Sequence, residues 1–177
     1  LFNKPAFKNV IVNGIMLAAD GEKLSKRKKN YPDPNEIFNE MGVDSMRYFL
    51  VGSPAALADD VRFSKAHVDE VVKKFTLTLW NTYSFFTTYA NIDKWKPKKS
   101  YSKFVPSNKL DKWILSELHA LIKEVTKQMD DYNLPKATRP MQDFLDNLSN
   151  WYVRRSRRRF WKSENDNDKT QAYQTLY

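Results

Sequence analysis

The chain has 177 residues, with 30 Lys or Arg against 21 Asp or Glu, a formal net charge of +9 and no cysteine. The lack of thiols excludes a disulfide scaffold, a Cys-ligated zinc or iron–sulfur centre and a cysteine nucleophile within this sequence, and favours the reducing cytoplasm. A hydrophobic content of 41% predicts a folded chain, no apolar run approaches the roughly 20 residues of a membrane span, and the positive charge favours a polyanionic partner.

The chain divides into two parts near residue 63. Residues 1–62 contain 9 basic and 8 acidic side chains together with all four glycines, whereas residues 63–177 contain 21 basic and 13 acidic ones. The net charges of the two parts are therefore +1 and +8. Frequent turns in the first part and long segments without glycine in the second predict a region of short elements followed by a region of long helices.

The first part begins with a predicted strand and a basic loop. The apolar residues 10–12 before Asn13-Gly14 predict a strand that enters a tight turn, and Asp20-Gly21 predicts a second turn. Residues 22–29 follow without any hydrophobic periodicity, and five of these eight side chains are cationic. This segment is predicted to be a surface loop.

Two short helices are predicted after the basic loop. Asp33 can accept hydrogen bonds from the free amides of a first helical turn, and Pro34 suits the first helical position. Gly42 is expected to follow this helix. Asp44 is expected to cap a second helix that ends near Gly52.

The second part is predicted to be a helical bundle. Apolar side chains recur at three- to four-residue spacing in three stretches. These stretches are Val68, Val71, Val72, Phe75, Leu79, Trp80, Tyr83 and Phe86, then Leu110, Ile114, Leu118, Leu121, Val125 and Met129, and finally Met141, Phe144, Leu145, Leu148 and Tyr152. At this spacing the tryptophans and tyrosines are expected in the core rather than on a base-stacking surface.

The connections between these helices are also predicted. A basic connection over residues 93–109 separates the first two helices, and Ser107 or Asn108 is expected to cap the second. Residues 133–135 break the chain before the third helix. The polar residues 163–168 end the third helix, and another helix begins before the chain ends.

The basic loop is the first candidate site. Its cations are Lys23, Lys26, Arg27, Lys28 and Lys29. A loop between a strand and a capped helix can present these charges to a triphosphate, although a lysine-rich turn can equally be a solvated surface. The glycine pattern of a phosphate-binding P-loop is not present.

An arginine-rich segment is the second candidate site. It contains Trp151, Arg154, Arg155, Arg157, Arg158 and Arg159. At about 100° per residue, Arg155 and Arg159 fall on the same face as Tyr152, where an unpaired guanidinium would cost several kcal/mol. They therefore either pair with acids, such as Asp143, Asp146 or acids on neighbouring helices, or emerge to bind a phosphate backbone. His67 and His119 are far apart in sequence, so no metal site is predicted.

Several of these motifs, taken in order, resemble class I aminoacyl-tRNA synthetases. Residues 23–27, Lys-Leu-Ser-Lys-Arg, resemble the K-M-S-K-S loop of that family and are followed by Asn-Tyr-Pro-Asp-Pro at residues 30–34. The continuation at residues 42–48 and the segment at residues 149–161 resemble the isoleucyl branch. The resemblance covers essentially the whole chain.

The resemblance implies roles for these residues. Residues Lys23, Leu24, Ser25, Lys26 and Arg27 would form the ATP-binding loop, with Lys26, aided by Lys23, stabilising the triphosphate while an amino acid carboxylate attacks the α-phosphorus. Leu24 replaces the usual Met at nearly the same volume, whereas Arg27 puts a larger cation where a hydroxyl is usual. The arginine-rich segment would contact tRNA.

The resemblance also implies a fold and a function for the two parts. Residues 1–62 would be the C-terminal part of a Rossmann-type α/β catalytic domain, and residues 63–177 a helical anticodon-binding domain truncated at its C-terminus. The full-length parent would use ATP with Mg²⁺ to form isoleucyl-adenylate and transfer isoleucine to tRNA(Ile). Because the family's upstream His-x-Gly-His motif is not in this sequence, the fragment is expected to be inactive alone. The alternatives are a valyl- or leucyl-type fragment and a non-catalytic basic helical module that binds RNA.

Overall fold

The computed structural model describes residues 3–97, 104–162 and 166–177. It is mostly helical, with two short strands. The strands are β1 (Met16–Leu17) and β2 (Val61–Arg62), and the helices are α1 (Pro34–Met41), α2 (Val43–Gly52), α3 (Lys65–Val71), α4 (Leu77–Ile92), α5 (Lys109–Asp130), α6 (Leu134–Asp146), α7 (Arg154–Trp161) and α8 (Asn167–Leu176). A 3₁₀ turn spans Pro54–Leu57, and π-helical turns at Val72–Thr76 and Asn147–Val153 join α3 to α4 and α6 to α7.

The two strands form a parallel pair, in which Met16 lies opposite Val61. The predicted strand at residues 10–12 is wrong, because these residues are exposed and belong to no strand. Gly14 does not make a hairpin turn either. Its amide donates to the carbonyl of Ala55 at 2.9 Å, and a Cβ at Gly14 would collide with the carbonyl of Asp59. Position 14 therefore requires a glycine because two chain segments approach each other closely there.

The ends of α1 follow their local sequence signals, whereas the start of α2 does not. The Asp33 side chain accepts from the amide of Asn35 at 2.8 Å, and Gly42 ends α1 with a φ of +81°. The expected cap at Asp44 is wrong, because α2 begins one residue earlier, directly after Gly42. Asp44 instead forms an ion pair with Arg47 inside the first turn of α2.

In the second part, helices α5 and α6 are also capped by the residue directly before each helix. Of the two predicted caps for α5, the structure uses Asn108, whose side chain accepts from the amide of Leu110 at 2.9 Å. Asn133 caps α6 in the same way. Residues 98–103 of the predicted basic connection and residues 163–165 of the predicted polar stretch lie outside the described residues. Within the described ranges, no helix has the length and apolar character needed to cross a membrane.

The buried face of α4 differs from the predicted apolar stripe. Leu79, Trp80 and Tyr83 are exposed on α4, whereas Thr82 and Ala90 are buried. A π-helical turn holds an extra residue and rotates the helix that follows it, so the periodicity that begins in α3 does not continue into α4.

Three apolar clusters form the described core. One joins α1 to α3 through Ile37, Phe63 and Val68, a second surrounds Ile114 and Tyr152, and a third surrounds Phe160, Ala172 and Tyr173. The first cluster joins the two parts, because Ile37 lies in the first and Phe63 and Val68 in the second, and the other two clusters hold the helical bundle together. The helices α2 and α6 connect the two parts by direct packing.

The contact between α2 and α6 is close and partly polar. The Tyr48 hydroxyl donates to the carbonyl of Thr138 at 2.9 Å, and burial, with a contribution from Asp143, raises the pKa of Tyr48 to about 12. Gly52 lies against the Thr138 side chain, where a Cβ would stand 3.0 Å from Oγ1. A cleft of about 670 Å³ opens beside this contact.

Candidate functional site

The basic loop starts from β1 through a tight turn. The amide of Ala18 donates to the carbonyl of Glu22 at 2.8 Å, and Leu17 forms an antiparallel bridge with Lys23. The loop then runs to the capped start of α1 at Asp33. Both ends of the basic loop are therefore anchored to regular structure.

The side chain of Asn30 holds the loop in shape. Its Oδ1 accepts from the amide of Ser25 at 2.9 Å, and its Nδ2 donates to the carbonyl of Lys23 at 3.2 Å. The amide of Lys29 also donates to the carbonyl of Ser25 at 3.0 Å. Sequence reasoning missed Asn30 as a site residue, although an asparagine that hydrogen-bonds backbone groups is a known device of turns. The loop is therefore a braced structure rather than an unstructured tail.

The cations of this loop differ in their partners. Lys28 forms an ion pair with Glu22, and this hydrogen bond raises the pKa of the Lys28 ammonium. Lys23, Lys26 and Arg27 are exposed, and none of them has a carboxylate within 4.0 Å among the described residues. Leu24 and Ser25 are half-buried and fix the backbone between these charges. Lys29 is exposed and likewise has no such partner, so the described loop offers four cations that an anionic ligand can neutralise.

The second candidate site lies on α7 and the π-helical turn before it. Arg154, Arg155, Arg157 and Arg158 are exposed, whereas Ser156 and Phe160 are buried. The predicted placement of Arg155 on the core face is wrong. The π-helical turn at Asn147–Val153 shifts the register, so that Arg155 turns outward.

Arg159 is the one predicted site residue of α7 that points into an acidic cluster. Its guanidinium makes two parallel hydrogen bonds to the carboxylate of Asp111, at 2.6 and 2.8 Å, and a further ion pair with Asp168 at 2.8 Å. Asp111 is fully buried and also accepts from the Tyr152 hydroxyl at 2.8 Å. Arg159 therefore joins α7 to α5 and α8, and its partner is not Asp143 or Asp146.

The charges of this cluster stabilise one another. Burial opposes the charge on Arg159, but the hydrogen bonds that its guanidinium donates to the carboxylates of Asp111 and Asp168 outweigh burial and raise the pKa of the guanidinium above its ordinary value. Burial and the neighbouring Asp111 carboxylate raise the pKa of the Tyr152 phenol well above its usual range. At neutral pH the Tyr152 phenol is therefore neutral and the Arg159 guanidinium is charged.

The outer face of α7 carries charge without internal partners. Arg154, Arg155, Arg157 and Arg158 have no carboxylate within 4.0 Å in the described part of the chain. The Arg155 guanidinium lies 4.3 Å from the ring centre of Trp151, which is a cation–π contact. These four arginines form a surface, the arginine face, that suits a polyanion.

Neither candidate site contains the donors of a metal centre. Within residues 3–97, 104–162 and 166–177, no group of three or more His, Cys, Asp or Glu side chains could hold a metal ion. What both sites present is exposed cationic side chains, which can bind anions.

Two protein families match the two parts of the chain. The family "tRNA synthetases class I (I, L, M and V)" matches residues 1–64, and "Anticodon-binding domain of tRNA ligase" matches residues 111–177. Isoleucine–tRNA ligase of Protochlamydia amoebophila is 51% identical over the whole chain. The chain belongs to the class I tRNA synthetases.

Other synthetases are similar to this chain in sequence and in fold. Isoleucine–tRNA ligase of Treponema denticola is 50% identical over the whole chain, which spans 17% of the length of both curated relatives. Leucyl-tRNA synthetase of Agrobacterium radiobacter K84, solved as a ternary complex with tRNA and LeuAMS, has a TM-score of 0.65 at 17% identity and covers 93% of this chain and 19% of its own. Methionyl-tRNA synthetase of Mycobacterium tuberculosis, solved with methionyl-adenylate, has a TM-score of 0.66 at 22% identity and covers 92% of this chain and 31% of its own.

These matches confirm the sequence-based recognition and fold class. The synthetase family lies over β1, the basic loop, α1 and α2, and the anticodon-binding family lies over α5 to α8. The basic loop thus lies in the part that matches the catalytic family, and the arginine face lies in the part that matches the anticodon-binding family.

Proposed function

We propose that this chain supplies the ATP-phosphate loop and tRNA-binding helices of an isoleucine–tRNA ligase. The observation that carries the proposal is a braced loop with four exposed cations, none in an ion pair among the described residues, in a chain about half identical, over its full length, to isoleucine–tRNA ligases. The proposed whole reaction joins isoleucine to ATP, forming isoleucyl-adenylate and pyrophosphate, and then transfers isoleucine to tRNA(Ile). We place this activity in the cytoplasm, as expected for a synthetase.

In this proposal, the loop residues have different roles in phosphate binding. As the isoleucine carboxylate attacks the α-phosphorus, negative charge moves onto the leaving pyrophosphate, and Lys26 and Lys23 stabilise it. Arg27 adds a third cation. Leu24 and Ser25 anchor the loop, and Asn30 keeps the backbone in the shape that presents these charges. Mg²⁺ would enter on the ATP phosphates as part of the substrate and neutralise some of their charge.

The helical part supplies the proposed tRNA contact. Arg154, Arg155, Arg157 and Arg158 bind phosphates, while Trp151 lies beside them. Arg159 acts as a positioning residue, because Asp111 and Asp168 already hold its guanidinium. We place the boundary between the catalytic and anticodon-binding parts at residues 62 and 63, a proposal supported by the synthetase family match that ends at residue 64.

The ATP role is tested by isoleucine-dependent ATP–pyrophosphate exchange in the full-length protein. Lys26→Ala should lower the rate about 100-fold or more, because it removes a contact to charge that develops in the transition state. Lys28→Ala is the matched control, since Lys28 lies on the same loop but is paired with Glu22. A Lys26→Ala rate equal to that of Lys28→Ala would overturn the assigned role.

A further inference from the structure

An arginine outside the basic loop lies against the turn that begins this loop. Arg62 ends β2, and a Cβ at Gly21 would lie 3.3 Å from its Nη2, 3.4 Å from its Nε and 3.5 Å from its Cζ. Because these three distances are nearly equal, the flat face of the guanidinium, rather than one nitrogen, is turned towards the glycine. Gly21 has a φ of +87°, and its missing side chain leaves the space beside the guanidinium.

The pairing of the backbone places Arg62 on the same face as Lys23. Leu17 of β1 lies opposite Arg62 in the parallel pair and forms an antiparallel bridge with Lys23 on its other side. Residues that lie directly opposite each other on neighbouring strands direct their side chains to the same face. Arg62, Leu17 and Lys23 therefore form a row across three chain segments. The cations end this row with their backbones about 10 Å apart, which is two strand spacings.

The guanidinium of Arg62 is free to bind an anion. Its side chain is exposed, and among the described residues it has no hydrogen bond and no carboxylate within 4.0 Å. Asp60, two residues earlier in the sequence, uses its Oδ1 to accept from the amide of Ile15 at 2.8 Å. A guanidinium that packs on one face and has unpaired N–H groups at its edge suits a bidentate contact with a phosphate.

We propose that Arg62 is a further ATP-phosphate-binding residue, which reaches the triphosphate from β2 while Lys23 reaches it from the basic loop. The proposal rests on the ATP role of the loop given above and extends the site to a residue outside the loop. The backbone of Arg62 is held by the strand pair, since the amide of Phe63 donates to the carbonyl of Leu17 at 2.8 Å. Two long cationic side chains at the ends of the row can therefore meet on an anion that lies over Leu17.

The test uses two inhibitors of isoleucine-dependent ATP–pyrophosphate exchange in the full-length protein. Inorganic tripolyphosphate carries the anion without the nucleoside, and adenosine carries the nucleoside without the anion. Arg62→Gln should raise the inhibition constant of tripolyphosphate and the KM for ATP about tenfold, because a charge-assisted contact is lost. The inhibition constant of adenosine and the KM for isoleucine should change by less than about twofold. Arg62→Lys should recover part of the loss, since the ammonium restores the charge but not the paired donors.

The chain offers a matched control and a test of the row. Arg47→Gln is the control, because Arg47 is also an exposed arginine of the first part and is paired with Asp44 on α2. If Arg62 and Lys23 contact the same phosphates, the effects of Arg62→Gln and Lys23→Ala on tripolyphosphate should be coupled. The double variant should then differ from the product of the two single effects by about threefold or more. A simple product would overturn the shared contact.

The remaining outcomes separate a phosphate contact from a structural one. If Arg62→Gln behaves like Arg47→Gln, Arg62 does not bind the triphosphate. If Arg62→Gln raises all four constants together, or lowers kcat alone, Arg62 only braces the turn at Gly21, and its assignment to ATP also fails. Lys26→Ala distinguishes these failures from failure of the proposed function. A lowered exchange rate in Lys26→Ala beside an unaffected Arg62→Gln leaves the ATP role of the loop in place, whereas no effect of either change overturns both.

Discussion

Among single residues, Asp111 determines how the arginine-rich segment is arranged. Its carboxylate is fully buried and receives hydrogen bonds from Arg159 and Tyr152. A carboxylate without these donors would not be stable in the core, and a guanidinium without this carboxylate would lose its main partner. The pair therefore fixes which side of α7 faces inward, and the remaining arginines are left on the outside.

Removing one member of this pair should strongly destabilise the chain. We expect Asp111→Ala to lower the free energy of unfolding by about 3–5 kcal/mol, because it leaves the guanidinium of Arg159 partly buried with only Asp168 as a partner. Urea denaturation measures this change. The double variant Asp111→Leu with Arg159→Met should recover part of the loss, since it removes both charges. Asp130→Ala, at an exposed acid on the same helix, should change stability by less than about 0.5 kcal/mol.

The residues predicted correctly from the sequence are those whose partners are local. Asp33, Gly42 and Asn108 act within four residues of their own positions, so short patterns predicted their roles. Arg159 pairs with Asp111, 48 residues away, and no local pattern encodes that distance. Asn30 was missed because its two bonds to the loop backbone cannot be distinguished in sequence from an ordinary solvated asparagine.

At the scale of elements, the sequence predicted the helices but not always which face of each helix is buried. The starts of α1, α5 and α6 agree with the predicted caps or breaks to within a residue. The errors on α4 and α7 both follow a π-helical turn. Hydrophobic periodicity assumes a constant 3.6 residues per turn, so one wider turn moves every later side chain around the helix.

The helix α8 is attached to the end of α4 by a buried polar contact whose strength depends on pH. The ammonium of Lys169 lies 2.6 Å from the carboxylate of Asp93, and the Tyr173 hydroxyl donates to the same oxygen. Burial favours the neutral acid, but the hydrogen bonds from Lys169 and Tyr173 outweigh it and lower the pKa of Asp93 below its ordinary value near 3.8. The folded state therefore binds the proton of Asp93 less readily than the unfolded state does.

This contact should contribute stability above about pH 4 and lose it as the pH falls through the lowered pKa of Asp93. At pH 7 we expect Asp93→Asn to lower the free energy of unfolding by about 1–3 kcal/mol, because buried Lys169 loses its charged partner. The difference between wild type and variant should shrink below pH 4. Urea denaturation of both proteins from pH 3 to pH 7 measures it, and a difference that stays constant over this range would contradict the assignment.

At the scale of the whole molecule, two parts of different charge pack against each other, and α2 lies closely on α6. The almost neutral first part holds the basic loop, and the strongly positive second part holds the arginine face. The difference in charge follows from composition alone, and the resemblance of the motifs predicted the fold. The packing of α2 on α6 could not be predicted, because it depends on the contact between Gly52, which has no side chain, and Thr138. These two residues are 86 positions apart in the sequence.

Gly52 allows α2 to approach α6 closely, and a methyl group there should test that contact. Alanine normally stabilises a helix relative to glycine by about 0.5–1 kcal/mol. Here the new Cβ would stand 3.0 Å from Oγ1 of Thr138, which is nearly buried and held by its hydrogen bond to the carbonyl of Pro135 at 3.1 Å. Since Thr138 cannot move freely, we expect Gly52→Ala to be destabilising, by about 1–2 kcal/mol in urea denaturation.

The sign of this effect should reverse when the obstructing hydroxyl and methyl groups are removed. In a Thr138→Ala background the same Gly52→Ala change has space for its Cβ, so only the helix preference remains and the variant should gain about 0.5–1 kcal/mol relative to Thr138→Ala alone. The Tyr48 hydroxyl bonds to the backbone carbonyl of residue 138, so that bond remains in all four proteins. If Gly52→Ala changed stability equally in both backgrounds, the closeness of α2 to α6 would not depend on Thr138. A reversal would show that residues 52 and 138 set the distance between α2 and α6.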